Sequence, residues 1–178
     1  MILGDVRTGK TKMTVKLLSE AVKAGYEKDI TVIDLAPATT KVRGKRIGGR
    51  LSEQMALPKG LRYLAPAKVE TPRLSATSAD QLLALARANH EAITPLLGEF
   101  LAAPSSILFA NDVSLYFHSG TPDLMFKAAE RAETLVANGY YGRYFAFDYE
   151  TGISKKEREL MDLFAAKMDK VITRFSRV

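Results

Sequence analysis

The chain has no cysteine among its 178 residues, which excludes a disulfide framework, a thiolate metal site and a cysteine nucleophile. It has only two histidines, His90 and His118, too few and too far apart in the sequence to argue for a metal centre. No apolar run approaches the roughly 20 residues that cross a bilayer, and no signal-peptide pattern opens the chain. No membrane span is therefore expected, and the absence of cysteine suits a cytoplasmic setting. Internal repeats, low-complexity tracts and linker-like stretches are also missing, so residues 1–178 read as one domain, long enough to bury a proper core. What remains is ordinary for a soluble globular chain: 47% hydrophobic and 26% charged residues. Lys and Arg outnumber Asp and Glu by 26 to 20, and the net charge of +6 favours anionic partners. Nucleotides and nucleic acids both meet that preference.

The most informative segment is Gly4-Asp5-Val6-Arg7-Thr8-Gly9-Lys10-Thr11, which fits G-x-x-x-x-G-K-[ST]. In that pattern glycines let the backbone turn its N–H groups toward phosphate oxygens. Lys10 is expected to reach the β- and γ-phosphates and the Thr11 hydroxyl to hold Mg²⁺. The following helix points the positive end of its dipole at the anion. The expected phosphate contacts are thus Gly4, Asp5, Val6, Arg7, Thr8, Gly9, Lys10, Thr11 and Lys12. Only Met1-Ile2-Leu3 precede the motif, so the strand before it is expected to be short, or the chain to begin downstream of its natural start.

Farther along, Val15, Leu18 and Val22 recur at helical spacing up to a glycine cap at Gly25. Ile30-Thr31-Val32-Ile33-Asp34 reads as a strand stopped by Pro37. A polar, glycine-rich segment leads to a short strand over 61–64. Ser78-x-x-Gln81 is a capping box opening a long helix, which Thr94-Pro95 is expected to kink or divide. Ile107-Leu108-Phe109-Ala110 is a compact strand ending in Asn111-Asp112. Thr121-Pro122 marks a helix start, with the helix expected to run to Asn138-Gly139. Tyr144-Phe145-Ala146-Phe147 reads as the next strand, Ser154-x-x-Glu157 as a capping box, and Lys170 to Phe175 as a closing strand. Strands alternating with helices of this length imply parallel strands joined by crossovers. The expected fold is three-layer α/β/α with a mainly parallel sheet, its ligand at the C-terminal strand ends near Gly4, Asp34 and Asp112.

Asp112 ends an apolar strand, where a carboxylate can hold Mg²⁺ directly or through water, or simply begin a turn. Asp34 can orient water or Mg²⁺ near a γ-phosphate, or initiate its own turn. Lys10 and Asp34 are thus the candidate catalytic residues, and Thr11 and Asp112 the candidate metal ligands. Lys41-Val42-Arg43-Gly44-Lys45-Arg46-Ile47-Gly48-Gly49-Arg50 carries five basic residues and three glycines. Such a loop can close over phosphates or an anionic second substrate, grip a protein or nucleic-acid partner, or remain a solvated surface. Its lack of interleaved aromatics weakens single-strand stacking. Tyr140-Tyr141-Gly142 and the loop from Asp148 to Ser154 can contact a base or a partner. No Asn-Lys-x-Asp or Thr-Lys-x-Asp pattern selects guanine, which leaves adenine by default.

With these residues in place, the chain resembles P-loop nucleoside-triphosphate-binding proteins. The stretch Ala24-Gly25-Tyr26 before Thr31-Val32-Ile33-Asp34-Leu35-Ala36-Pro37 looks like the corresponding part of MinD/ParA-like ATPases and ATP:corrinoid adenosyltransferases. The segment Leu108 to Gly120 looks loosely like the adenosyltransferase strand that ends in acids. Asp5 stands where the first group has its signature lysine, and Thr8 where the second has one. The resemblance implies the P-loop NTPase fold, ATP and Mg²⁺ as ligands, and an ATPase. Two further readings stay open: a transferase or kinase acting on a small anionic acceptor, and a nucleotide-gated adaptor.

Overall fold

The computed structural model describes residues 1–42 and 45–173. Five strands form an all-parallel sheet: β1 (Ile2–Gly4), β2 (Ile30–Asp34), β5 (Arg62–Leu64), β6 (Ile107–Asn111) and β7 (Thr134–Tyr140), in the order β1-β7-β6-β2-β5. Two short strands, β3 (Thr40–Val42) and β4 (Lys45–Ile47), pair antiparallel as a separate hairpin. The segment 41–50 is thus built around this hairpin, with Arg43 and Gly44 outside the described residues.

Alternation along the strands sends side chains to opposite faces. Ile30 and Val32 of β2 and Phe109 of β6 pack with Leu18 of helix α1 (Lys10–Lys23) on one face. Ile33, Leu108 and Ala110 pack on the other against α3 (Ala79–Ala102), α4 (Asp123–Arg131) and α5 (Ile153–Ala165). Helices cover both faces of the sheet, an arrangement compatible with three layers. Helix α2 (Pro72–Ser75) is a single turn with proline in its first position.

The three-residue β1 is bonded on both sides. One neighbour is β7, with Ile2 opposite Asn138 and Gly4 opposite Tyr140. On the other side Ile172 forms an isolated bridge with Ile2, its N–H donating to the Met1 carbonyl and its own carbonyl accepting from Leu3, both at 2.8 Å. That bridge is what the expected closing strand amounts to among the described residues; Arg174 and Phe175 lie outside them.

Three expectations are corrected. The helix beginning near Pro122 ends at Arg131, and residues 134–140 form the strand between β1 and β6. Met125, Ala128, Ala132 and Leu135 keep helical spacing, so the sequence reads as one helix. The chain instead completes the ladder, and Gly139 is a close-approach position: a β-carbon there would lie 2.5 Å from the Met161 methyl. Residues 144–147 are loop, because β7 has already taken the sheet position that a strand there would need. Ser154-x-x-Glu157 does not cap α5; Gly152 is its N-cap, Asp148 accepts from the Ser154 N–H at 2.9 Å, and Glu157 turns into the interior.

Half of the Ser78 box forms: Ser78 accepts from the Gln81 N–H at 3.2 Å, while the Gln81 side chain accepts from the N–H and hydroxyl of Thr77 rather than from the Ser78 N–H. Its helix α3 runs unbroken through Pro95, so no second helix begins there. The neighbouring Thr94 hydroxyl donates to the His90 carbonyl at 2.7 Å, giving that turn a side-chain bond beside the missing proline donor.

Candidate functional site

The 4–11 loop joins β1 to α1 at the C-terminal end of the sheet. Gly4 is the last residue of β1, and its carbonyl accepts from the Tyr141 N–H and from Lys10 Nζ, both at 2.9 Å. Gly9 has φ of +95° at the start of α1, a conformation open to glycine and costly for side-chain residues. Arg7 adopts a left-handed conformation as well (φ 63°), which stores strain in the loop. Thr8 Oγ1 donates to the Asp5 carbonyl at 2.9 Å, tightening the turn.

Lys10 folds back over this loop, its Nζ also donating to the Asp5 carbonyl at 2.8 Å. Burial lowers the Lys10 pKa, with the carboxylates of Asp112 and Asp5 pulling the other way. Asp5 points away from the loop mouth. Its carboxylate accepts from the N–H groups of Val6 (2.7 Å) and Arg143 (2.9 Å) and lies against Gly142, where a β-carbon would come within 2.2 Å of it. Burial works against the charged form of Asp5, but these backbone donors and Lys10 outweigh it and hold the pKa below the usual carboxylate range.

Residues 6–12 line a cavity of about 380 Å³, closed on its other sides by Asn111, Asp112, Asn138, Tyr140, Phe145 and the foot of the hairpin at Ile47, Gly48 and Gly49. Gly48 is held against the exit from β2, where a β-carbon would meet the Pro37 carbonyl at 2.6 Å. Thr11, Asp112 and Lys10 thus share one cavity. The first turn of α1 holds Lys10 and Lys12 and no acid. That is the reverse of what a helix dipole favours, and it leaves the positive end of α1 without a negative partner from its own turn.

Asp112 follows β6 in a left-handed conformation (φ 60°), with Ser114 Oγ donating to its Oδ1 at 2.9 Å. Burial raises its pKa, against the opposing effects of Lys10 and the Ser114 hydrogen bond. Asp34 is placed differently. It is fully buried and is not part of the cavity wall. Its Oδ1 accepts from Asn111 Nδ2 (2.7 Å) and the Ala36 N–H (3.2 Å), and its Oδ2 from the Leu51 N–H (2.6 Å) and the Tyr63 hydroxyl (2.7 Å). Burial and the Asp34 carboxylate push the Tyr63 pKa up, so the phenol stays a donor.

Asp34 ends a buried polar chain that sequence reasoning does not find. Thr14 Oγ1 donates to the Lys10 carbonyl at 3.1 Å and accepts from Asn138 Nδ2 at 2.8 Å. Asn138 also donates to Asn111 Oδ1 at 2.6 Å, and its own oxygen accepts from the Asp112 N–H at 3.0 Å. Asn111 then donates to Asp34. The chain runs from the first turns of α1, across β7 and β6, to β2 and the segment below the hairpin. The signal available in the sequence is the polar residue that ends β2 and β6, Asp34 and Asn111; Asn138 lies inside β7 and is hidden when that strand is read as helix.

The two histidines stay apart from this cavity. His90 stacks on Tyr116 with ring centroids 4.4 Å apart, and His118 lies inside the protein with Nε2 3.3 Å from Glu157. Glu157 also pairs with Arg73, and these charges hold its pKa down against the effect of burial. Among the described residues no group of three or more histidines and acids is arranged around a metal position, and no helix is long and apolar enough to cross a membrane. The loop from Asp148 to Ser154 caps α5 and does not reach the cavity, whereas Tyr140 is part of its wall. No protein-family model matches the chain, and no curated protein matches it significantly.

Proposed function

We propose that the protein is a Mg²⁺-dependent ATP-binding protein of the P-loop type that hydrolyses ATP. The observation that carries this reading is the 4–11 loop itself: a glycine in a left-handed turn opens a helix whose first turn bears Lys10 and Lys12 and faces a cavity of about 380 Å³. Cations at the positive end of a helix dipole are unfavourable alone and favourable with a polyanion seated between them. ATP supplies that charge. Lys10 exchanges its two backbone carbonyls for phosphate oxygens and stabilises charge on the γ-phosphoryl group. Thr11 and Asp112 both line the cavity and offer the hard oxygen donors that suit Mg²⁺, which prefers few protein ligands and completes its shell with phosphate and water. The Asp34 carboxylate has its hydrogen-bonding capacity taken up inside the fold, so we assign it to holding the strand ends in register rather than to the reacting water.

Calorimetric titration with Mg²⁺·ATP and a phosphate-release assay test the reading together. Saturable binding lost in Lys10→Ala supports it; turnover by Lys10→Ala at the wild-type rate overturns it.

A second reading, transfer to a small acceptor, is favoured by one feature. A smaller cavity of about 80 Å³ shares Asp112, Ile47, Gly48 and Phe145 with the first and is otherwise formed by Pro37, Thr71, Pro72, Arg73, Leu74, Leu115 and His118. An acceptor seated there would lie beside the Asp112 carboxylate. ADP release that depends on an added acceptor separates this reading from hydrolysis.

A further inference from the structure

We propose that the face formed by the 141–149 loop and the first half of α5 binds single-stranded nucleic acid, at a site that adjoins the cavity of the 4–11 loop across Tyr140 and Phe145. A cavity of about 310 Å³ opens there, lined by Tyr141, Arg143, Phe145, Lys155 and Arg158 among others. Its volume is in the range of pockets that hold a nucleoside-sized group. Arg158 lies over the Tyr141 ring at 3.6 Å from its centroid while donating to the Gly142 carbonyl at 2.8 Å, so this cation is fixed in place and stacked.

Beside the cavity the same loop carries two exposed rings, Tyr144 (45% exposed) and Phe147 (69%). Each is braced edge-on by a neighbour, Phe145 at 5.0 Å and Tyr149 at 4.6 Å. Exposed rings held by other rings, next to a guanidinium and an ammonium, match the requirements of a base-stacking platform that also follows a phosphate backbone. A neutral apolar peptide would use the rings and waste the cations. Of the nearby acids, Glu157 pairs with Arg73 and Glu159 lies 3.8 Å from Lys155, Asp148 accepts from the Ser154 N–H, Asp162 from the Tyr141 hydroxyl and Asp5 from the Arg143 N–H, and Glu150 is exposed. The chain's net charge of +6 adds to the attraction at long range.

The test measures fluorescence anisotropy of a labelled 15-nucleotide oligo(dT) with the full chain at about 50 mM salt and no ATP. Wild type is expected to bind saturably, and Phe147→Ala to weaken binding by at least about fivefold. Arg143→Glu combined with Lys155→Glu is expected to weaken it at least about tenfold and to flatten its salt dependence. Lys28→Glu combined with Lys59→Glu makes the same charge change just before β2 and β5, at the opposite end of the sheet, and is expected to have little effect. Melting curves establish that each variant is folded. Absence of saturable binding by wild type overturns the proposal, as does an equal loss in the Lys28/Lys59 variant or no loss in Phe147→Ala. Lys10→Ala is expected to keep oligonucleotide affinity, so this site and the nucleotide reading can fail independently.

Discussion

The 4–11 loop and the polar chain beneath it lie within one helical turn of each other and solve opposite problems. In the chain, Thr14, Asn138, Asn111 and Asp34 pass hydrogen bonds from α1 to β2, and Asp34 accepts four of them. In the loop, the hydrogen-bond partners of Lys10 among the described residues are backbone carbonyls, Arg7 and Gly9 hold left-handed conformations, and the first turn of α1 concentrates positive charge. A buried polar network stabilises when complete and is costly when broken. A strained loop with uncompensated charge costs stability and persists where a ligand uses it. The contrast separates residues that hold the site's shape from residues that would meet a ligand.

The comparison is tested most sharply by Lys10→Ala. Removing it is expected to lower ATP turnover by about a thousandfold, equivalent to about 4 kcal/mol of transition-state stabilisation. Stability should stay within about 0.5 kcal/mol of wild type or rise, because a partly desolvated cation is removed from the positive end of a helix. Thermal melting and phosphate release on the same preparation measure both. A large loss of stability would place Lys10 with the structural chain instead.

Asp34→Ala should behave in the opposite way. It leaves Asn111 Nδ2, the Leu51 N–H and the Tyr63 hydroxyl without their buried acceptor. A cost of about 3 kcal/mol is expected in urea unfolding, with the slope unchanged. Asn138→Ala removes bonds to Thr14, Asn111 and the Asp112 N–H, and about 2 kcal/mol is expected. Because Asn138 and Asn111 share a bond, the double change with Asn111→Ala should cost less than the sum of the two. Strict additivity would mean that the chain does not act as a unit.

The loop was legible in the sequence and the chain was not, for a physical reason. A glycine turn before a helix needs particular residue types at fixed spacing, so Gly4 to Thr11 stand out without tertiary information. The strand ends at Asp34 and Asn111 were also legible, since β-branched and apolar runs stop there. Which strands are neighbours is decided by tertiary packing. Residues 134–140 continue the helical spacing of α4, and only pairing with β1 and β6 makes them a strand. Without that strand Asn138 has no place beside Thr14 and Asn111. Glu157 is a similar case: its spacing from Ser154 imitates a cap, while Arg73, which arrives from far away in the sequence, draws it inward.

Asp112 belongs to both regions, and the smallest predicted effect turns on it. Its N–H is bonded to Asn138 of the polar chain, while its carboxyl group lines the cavity with Lys10 and Thr11. Burial raises its pKa in the folded protein. Between the unfolded value and that raised value the folded state holds more protons than the unfolded one, so this group's contribution to stability falls as pH rises through the window. Above the folded pKa the cost is complete. Asp112→Asn removes the charge and keeps the shape, and is expected to raise stability at pH 7 by about 1 kcal/mol without ligand. The fall in stability with rising pH that Asp112 contributes should vanish from the profile. In Mg²⁺·ATP the order should reverse, because wild type gains the binding energy of the metal complex and the variant gains less. Melting temperatures of the two proteins between pH 4 and 8, with and without Mg²⁺·ATP, decide the matter. If Asp112→Asn gains as much from the ligand as wild type, the carboxylate holds no metal and its charge serves only to balance Lys10.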